Sequence, residues 1–195
     1  QVASFKTTSS LPLEAFVHGL NYHLPADIAV KAAYPVRLDF DPRRLAANRE
    51  YTYTFVNSRT RSPLTAKYAH RITAELNIET MNEACQMLLG SHDFASFASE
   101  IGGEPEKSTV RNVSRAEVSQ QDGRVVFTII ANGFLRHQAR NTAGILLQIG
   151  TGKMSLNEFK TIFEAKQPGL AGPSLPACGL ALVKVNYPLT FEEMK

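Results

Sequence analysis

Residues 133–153 of the chain, GFLRHQARNTAGILLQIGTGK, predict a strand end that leads into a long amphipathic helix. The apolar and small side chains that recur along one side of this helix are Leu135, Ala139, Thr142, Ala143 and Leu146. Their spacing indicates one buried helical face. Arg136 and Arg140 stand four residues apart and share a second face. Gly150 is placed to end the helix in a left-handed cap.

The two arginines are the feature of this helix that packing does not explain. A solvated basic face is the simpler interpretation of Arg136 and Arg140. The alternative is that Arg140 binds a polyanion or a buried carboxylate, and Gly144, one turn further on, leaves room for a large group. The rest of the chain has to distinguish these interpretations.

The composition is that of an ordinary globular protein. Of 195 residues, 44% are hydrophobic and 20% are charged, and the net charge is +3. This length suffices for one large domain or two small ones, and the charge permits an acidic partner without requiring one. The two cysteines, Cys85 and Cys178, have no C-x-x-C spacing, and no apolar run reaches transmembrane length. We therefore expect a reduced, cytoplasmic setting without membrane association.

The first forty residues predict two strands on either side of a helix. Residues 2–6 alternate as a half-buried strand does, and residues 28–38 have a strand-like composition. Between them Ser10 is placed as an N-cap and Pro12 lies in the first helical turn. The apolar face of this helix consists of Leu13, Phe16, Val17 and Leu20. Because the strand pattern starts at Gln1 without an initiator Met, we expect the chain to be part of a longer protein.

Residues 49–55 predict a strand that follows a turn at 41–44. Its alternation places Tyr51, Tyr53 and Phe55 on one face. Phe55 and Tyr53 fit core positions, whereas Tyr51 fits the edge of a cleft.

An irregular segment at 57–72 contains four basic residues, Arg59, Arg61, Lys67 and Arg71. Such a loop fits a solvated surface and a phosphate-contacting loop equally well.

The middle of the chain predicts a second helix. A capping box formed by Thr80 and Glu83 opens it, and Gly90 closes it. Its buried face is formed by Met81, Ala84, Cys85, Leu88 and Leu89. Asp93 in the His-Asp dipeptide that follows is interpreted as a turn or cap residue, with Phe94 and Phe97 as core anchors.

The second half predicts a hairpin, a helix pair and a last strand. Residues 110–119 and 124–132 form a hairpin around an Asp-Gly turn, after a flexible loop at 102–108. Ser155 and Glu158 form a capping box for the last helix. A Gly/Pro-rich loop at 167–176 and a strand at 179–188 follow. These elements predict an α+β fold, an antiparallel sheet with helices on one face.

Motifs for several common chemistries are absent from the sequence. It has no phosphate-binding glycine loop, no H-E-x-x-H, no clustered Cys and His, and no G-x-S-x-G elbow. A nucleotide cofactor or a structural metal is therefore not expected, and the motifs supply arginines, a tyrosine and glycines but no evident nucleophile.

Six ordered segments of the sequence resemble the TruA family of tRNA pseudouridine synthases. The segment that begins at Gly133 is similar to the family pattern F-[LV]-x-H-x-x-R-N-x-x-G-x-L-x-x-[IV]-G. The other segments are QVASF at 1–5, NYHLPADI at 21–28, FDPR at 40–43 with REYTY at 49–53, LGSHDFASF at 89–97, and GLAL at 179–182 with YP at 187–188. Together they span nearly the whole chain.

The resemblance implies a fold and an activity. The fold would consist of two ferredoxin-like halves with a cleft between them, residues 1–39 being a remnant of the first half and residues 40–195 the second. The activity would be conversion of uridine to pseudouridine in the anticodon stem-loop of tRNA, without cofactor or metal. A homodimer that binds tRNA across both subunits is also implied.

The resemblance also implies roles for particular residues. Arg140 corresponds to the arginine that pairs with the catalytic aspartate and keeps it ionised. Tyr51 corresponds to the tyrosine that contacts the target base, and Leu180 to an apolar wall of the pocket. The residues implied in binding the RNA backbone are Arg43, Arg49, Arg61 and Lys67.

Two departures from the family pattern qualify these roles. Asp41 stands where the family usually has His. The R-T-D-x-G-V-H-A loop with the catalytic aspartate has no match among the printed residues, so we expect this chain alone to be inactive. Arg140 is then expected to contact solvent, an anion or a substitute carboxylate. The alternatives to an enzyme are a non-catalytic RNA-binding module and a dimerisation domain of the same fold.

Overall fold

A computed structural model describes residues 1–98, 108–191 and 193–194 and divides the chain into two compact units. One unit comprises Asn48–Val185 together with Gln1. The other comprises Val2–Ala47 and Asn186–Lys195. The predicted division into 1–39 and 40–195 stays a prediction. The predicted loop at 102–108 lies outside the described residues, except for Ser108.

The described residues form four α-helices and six strands. In chain order they are α1 Leu13–His23, β1 Asn48–Asn57, β2 His70–Ile72, α2 Ile78–Met87, β3 Gly90–Asp93, β4 Val110–Gln121, β5 Arg124–Ala131, α3 Gln138–Gly150, α4 Leu156–Ala165 and β6 Leu180–Asn186. Two 3₁₀ turns, Ala95–Phe97 and Ala177–Gly179, precede β4 and β6. This order confirms the predicted α+β class.

The strands form one sheet in the order β2-β1-β5-β4-β3, and β6 also pairs with β1. The pairs β1–β5, β5–β4 and β4–β3 are antiparallel, as predicted. The short pair β1–β2 is parallel, which the sequence did not predict. Asp122 and Gly123 join β4 to β5 with φ values of 51° and 71°, so the predicted Asp-Gly hairpin is confirmed.

The core lies between alternate residues of the central strands and the helices α2, α3 and α4. Tyr53 and Phe55 of β1 are buried opposite Phe127 and Val125 of β5. The helices bury Met81, Ala84, Cys85, Ala143, Ile145, Leu146 and Phe159 in the same cluster. Alternate side chains of the strands and one face of each helix thus pack together in one apolar layer.

The prediction of two strands in the N-terminal region is wrong. Residues 2–6 and 28–38 contain no strand, because an alternating segment becomes a strand only when a neighbouring strand satisfies its backbone groups. Helix α1 begins at Leu13 with Pro12 as N-cap, not at a cap formed by Ser10. Pro12 has the extended conformation that an N-cap requires, and no side chain caps this helix. Helix α1 buries none of its residues.

The start and end of α3 also differ from prediction. His137 has a φ of 65°, which interrupts the helical path, so α3 begins at Gln138 and Arg136 precedes it. Arg136 and Arg140 therefore do not share a helical face. The left-handed glycine beyond α3 is Gly152, with a φ of 72°, rather than Gly150. Gly150 instead admits Met81, whose sulfur would lie 2.5 Å from a Cβ at that position.

The predicted start and end of α2 are both wrong, whereas the predicted cap of α4 is confirmed. Helix α2 starts three residues earlier than predicted, because the Asn77 side chain accepts a hydrogen bond from the Thr80 backbone N–H. Gly90 does not close α2 but opens β3. The capping box of Ser155 and Glu158 at the start of α4 is confirmed.

Candidate active site

Arg140 lies in the first turn of α3, half-buried, and its Nε donates a hydrogen bond to the backbone carbonyl of Leu175 at 2.6 Å. Its two Nη nitrogens make no hydrogen bond within the part of the chain that the structure describes. Among the same residues no carboxylate lies within ion-pair distance of Arg140. The Nε of Arg140 thus binds a backbone carbonyl, which the sequence did not predict, and the expected contact of Arg140 with solvent or an anion stays a prediction.

The loop that supplies this carbonyl is fixed at several points. The Ser174 hydroxyl donates to the side-chain oxygen of Asn141, one residue after Arg140. Further back, the backbone N–H groups of Ala171 and Gly169 donate to the carbonyls of Ser96 and Ala98 at 3.1 and 3.0 Å. Because the loop is held on both α3 and the Ala95–Phe97 turn, the Arg140 guanidinium has a fixed anchor.

Tyr53 of β1 ties the sheet to the same loop. Its ring is 1% exposed and its hydroxyl donates to the carbonyl of Pro176 at 2.7 Å. Burial raises the pKa of the Tyr53 hydroxyl well above its usual range, the nearby Cys178 thiol raises it further, and the charge of Arg140 acts in the opposite direction. Tyr53 is therefore a neutral hydrogen-bond donor near Arg140 and is not a candidate base.

Tyr51 lies two residues before Tyr53 on the same face of β1, roughly 7 Å away along the strand. It is half-buried, and its ring meets that of Phe134 edge-on, with centroids 4.9 Å apart and an interplanar angle of 78°. Phe134 therefore fixes the orientation of the Tyr51 ring. Such a fixed aromatic plane at the border of the core can receive a flat ligand.

Leu180 is the first residue of β6 and is half-buried against the core. Gly179, immediately before it, passes so close to Tyr53 that a Cβ would lie 2.7 Å from two ring carbons. Tyr53 is thus the common neighbour that links Arg140, Tyr51 and the start of β6. The sequence placed Tyr53 in the core but did not predict this linking role. Its position between Tyr51 and Phe55 on one strand face is the signal that could have found it.

The four predicted RNA-binding residues fall into different settings. Arg49 lies on β1, and one of its Nη nitrogens donates to the Asn132 carbonyl at 2.6 Å. Arg61 and Lys67 are exposed in the segment between β1 and β2. Arg43 is exposed in the other compact unit.

Asp41, the departure from the family pattern, has a structural role in that unit. Its carboxylate accepts hydrogen bonds from the backbone N–H groups of Arg43 and Arg44 at 2.8 and 3.0 Å. These two bonds hold the pKa of Asp41 below its usual range. Asp41 therefore caps the turn at 41–44, which confirms the predicted turn.

The arrangement as a whole offers a positive charge, an aromatic plane and an apolar wall. Within the described ranges no group of three or more His, Cys, Asp or Glu side chains is placed to bind a metal ion. A search of the same ranges finds no helix with the length and apolar character needed to cross a membrane. The positive charge of Arg140 is complementary to a carboxylate or another anionic group.

Comparison with known proteins identifies the family of the chain. The family model for tRNA pseudouridine synthase matches residues 84–188. The tRNA pseudouridine synthase A of Francisella tularensis subsp. holarctica is 39% identical over 189 residues, which cover 96% of this chain and 72% of that protein. The tRNA pseudouridine synthase A of Caldicellulosiruptor bescii is 37% identical over 187 residues, covering 96% and 76% respectively. The chain therefore belongs to the TruA family of tRNA pseudouridine synthases.

Proposed function

We propose that this chain is the greater part of an isomerase that converts uridine to pseudouridine in the anticodon stem-loop of tRNA. The observation that supports this most is that Arg140, Tyr51 and the start of β6 all neighbour Tyr53. A base pocket requires an aromatic plane, an apolar wall and a fixed cation for a carboxylate, and these three side chains supply them.

The reaction rearranges bonds within one nucleotide. The bond between N1 of uracil and C1′ of ribose breaks, the base turns, and a bond forms between C5 and C1′. The proton on C5 leaves to solvent and N1 gains a proton, so the product is an isomer of the substrate. The base must first leave the stack, and contacts in the pocket offset that cost.

Arg140 acts in this proposal through an aspartate. The Nε bond to Leu175 fixes the guanidinium plane. It leaves the Nη pair to bind the aspartate of an R-T-D-x-G-V-H-A segment. A cation within about 4–6 Å of a carboxylate favours its ionised form. Arg140 is therefore a positioning residue, and the aspartate is the group that meets the substrate.

We further propose that the RNA backbone is bound by Arg43, Arg49, Arg61 and Lys67, in a homodimer that acts in the cytoplasm. Exposed guanidinium and ammonium groups spread over a surface suit phosphate contact. The cytoplasm holds the tRNA substrate and keeps the free thiols of Cys85 and Cys178 reduced. tRNA binding should weaken steeply with salt, and the salt dependence should fall in Arg43→Ala and Arg49→Ala.

The activity is tested by release of tritium from tRNA labelled at C5 of uridine. Release is expected from a protein in which the R-T-D-x-G-V-H-A segment precedes Gln1, and none from the chain alone. If the longer protein binds tRNA but releases no tritium, the chain is a non-catalytic RNA-binding module. The lack of an ion-paired carboxylate at Arg140 among the described residues is the observation that favours this second candidate.

A further inference from the structure

The segment between β1 and β2, residues 58–69, exposes two large apolar side chains. Tyr68 is 74% exposed and Leu64 is 89% exposed, the highest values among the large hydrophobic side chains of this unit. We call this segment the β1–β2 loop. A single exposed apolar side chain is ordinary, but two large ones within one loop of twelve residues are not.

The charge of this surface has one sign. Arg59, Arg61 and Lys67 are exposed along the loop, and Arg71 follows it at the end of the same stretch. From Tyr51 to Ala74 the sequence contains no Asp or Glu. A surface that combines a flat apolar side chain with cations and lacks acids is complementary to a polyanion with flat apolar faces.

The loop is a built turn and not an extended tether. The carbonyl of Ser62 accepts hydrogen bonds from the backbone N–H groups of Thr65 and Ala66 at 3.2 and 3.1 Å, and the Tyr68 N–H donates to the carbonyl of Thr65 at 2.9 Å. At its base an Nη nitrogen of Arg71 donates to the Arg59 carbonyl at 3.1 Å. Tyr68 is therefore presented at a defined place beside Lys67.

Buried contacts at the far end fix the loop to the site region. Ala69, next to Tyr68, is 8% exposed, and its carbonyl accepts from the Cys178 thiol at 3.7 Å. Cys178 immediately precedes Gly179, the residue packed on Tyr53. A nucleotide bound at Tyr68 is thus bound on the same compact unit as Arg140.

We propose that the β1–β2 loop binds unpaired nucleotides of RNA, with Tyr68 stacking on a base beside Leu64 and with Arg59, Arg61 and Lys67 contacting the neighbouring phosphates. Unpaired bases expose the ring faces that an aromatic side chain can stack on, whereas the bases of a duplex do not. A second copy of this chain is the less favourable occupant, since a twofold contact would bring two basic loops together. This inference rests on the proposed function in that it takes RNA as the ligand.

The test measures binding by fluorescence anisotropy with the unmodified chain and three variants. The probes are a labelled RNA hairpin with an unpaired loop and a blunt RNA duplex with the same stem sequence. Tyr68→Ala should weaken hairpin binding about 5- to 100-fold and leave duplex binding unchanged, while Tyr68→Phe keeps the ring and should bind within about twofold of the unmodified chain. Tyr22→Ala is the matched control, because Tyr22 is 85% exposed on α1 and has no arginine or lysine beside it in the sequence.

Three outcomes overturn the inference. They are unchanged hairpin binding in Tyr68→Ala, an equal loss on hairpin and duplex, and a loss that follows a change of oligomeric state in sedimentation, which would make the loop an interface between copies. Because Tyr68 is exposed, circular dichroism should show no loss of folding in Tyr68→Ala.

The tritium-release assay distinguishes failure of this inference from failure of the proposed function. If Tyr68→Ala selectively weakens hairpin binding but the longer protein releases no tritium, the proposed function alone is refuted. If the longer protein releases tritium and Tyr68→Ala binds the hairpin normally, this inference alone is refuted.

Discussion

Arg140 uses its Nε to hold the Leu175 carbonyl at 2.6 Å and leaves its two Nη nitrogens for another group. A lysine has three donors on one rotatable nitrogen, so it lacks the planar fork that holds two groups in fixed directions. The bond to Leu175 accounts for the half-buried position of Arg140 at the start of α3. A solvated basic face, the simpler interpretation of the sequence, would have left this side chain exposed.

Replacing Arg140 tests its positioning role. In a protein with the R-T-D-x-G-V-H-A segment, Arg140→Ala should lower turnover at saturating tRNA by about 100-fold and change tRNA affinity little. Loss of the cation should also raise the pKa of the partner aspartate, which moves the acidic limb of the turnover profile to higher pH. Steady-state kinetics across pH measure both effects.

Arg136→Ala is the matched control, because Arg136 is exposed and precedes α3. A variant Arg140→Ala that loses affinity but keeps its turnover at saturation would show that Arg140 contacts the RNA backbone instead.

At this scale the roles that the family resemblance gives to Arg140, Tyr51 and Leu180 stay predictions, and the residue pattern alone predicted part of the core. Alternation placed Tyr53 and Phe55 in the core, as found, and left Tyr51 half-buried. It could not predict that the Tyr53 hydroxyl binds the Pro176 carbonyl, since that contact joins residues 123 positions apart. Nor did spacing reveal the left-handed φ of His137, which separates Arg136 from α3.

At the scale of elements, the close passage of Gly179 over Tyr53 joins β6 to β1. A Cβ there would lie 2.7 Å from the ring and 3.0 Å from the Thr54 carbonyl oxygen, and neither the buried ring nor the backbone can yield easily. Gly179→Ala should therefore lower the free energy of unfolding by about 1–3 kcal/mol, as measured by urea denaturation.

Gly144→Ala is the control, because it should change the free energy of unfolding in the opposite direction. A Cβ at Gly144 would meet Leu175 at 3.6 Å, an ordinary contact, inside a helix where alanine is favoured. This variant should be more stable by about 0.5–1 kcal/mol. Equal destabilisation in both variants would mean that packing of the 167–176 loop, and not the Tyr53 ring, limits both positions.

The capping box of α4 predicts a pH dependence. The Glu158 carboxylate accepts from the backbone N–H and from the hydroxyl of Ser155, both at 2.8 Å, and these bonds hold its pKa below the usual 4.5. A pKa lower in the folded than in the unfolded state contributes stability above the unfolded value and loses it as the pH falls through the folded value.

Urea unfolding of Glu158→Gln measures this contribution, because glutamine keeps the capping shape without the charge. The stability difference from the unmodified chain should be present at neutral pH and vanish as the pH falls below about 4.5. Glu164→Gln is the control, since the one partner of the Glu164 carboxylate among the described residues is Lys160, in an exposed pair at 3.9 Å. A difference for Glu158→Gln that does not change with pH would exclude the carboxylate as the cause.

Elements with a strong period or a complete cap were predictable. The hairpin of β4 and β5 and the start of α4 follow from local chemistry alone. The strands predicted at 2–6 and 28–38 failed because alternation reports that a segment can pair, not that a partner is present. The three-residue strand β2 was missed because it is too short to show a period and ends a basic segment.

At the scale of the whole molecule, the two compact units differ in how they are held together. The unit of Asn48–Val185 has a sheet covered by three helices, and the predicted fold class follows from its element order. The other unit has a helix without buried residues and a cluster of aromatic rings, with Tyr34 stacked on Phe191 at 4.9 Å. Local patterns could not predict this cluster, because its members come from opposite ends of the chain.

The measurement that tests the central claim most directly is tritium release from tRNA labelled at C5 of uridine. Three proteins are compared at equal concentration: the chain alone, the chain with the R-T-D-x-G-V-H-A segment preceding Gln1, and that longer protein with its aspartate changed to asparagine. Release is predicted from the second protein only, because the cation of Arg140 needs the carboxylate that the segment supplies. Release by the chain alone, or undiminished release by the asparagine variant, would contradict it.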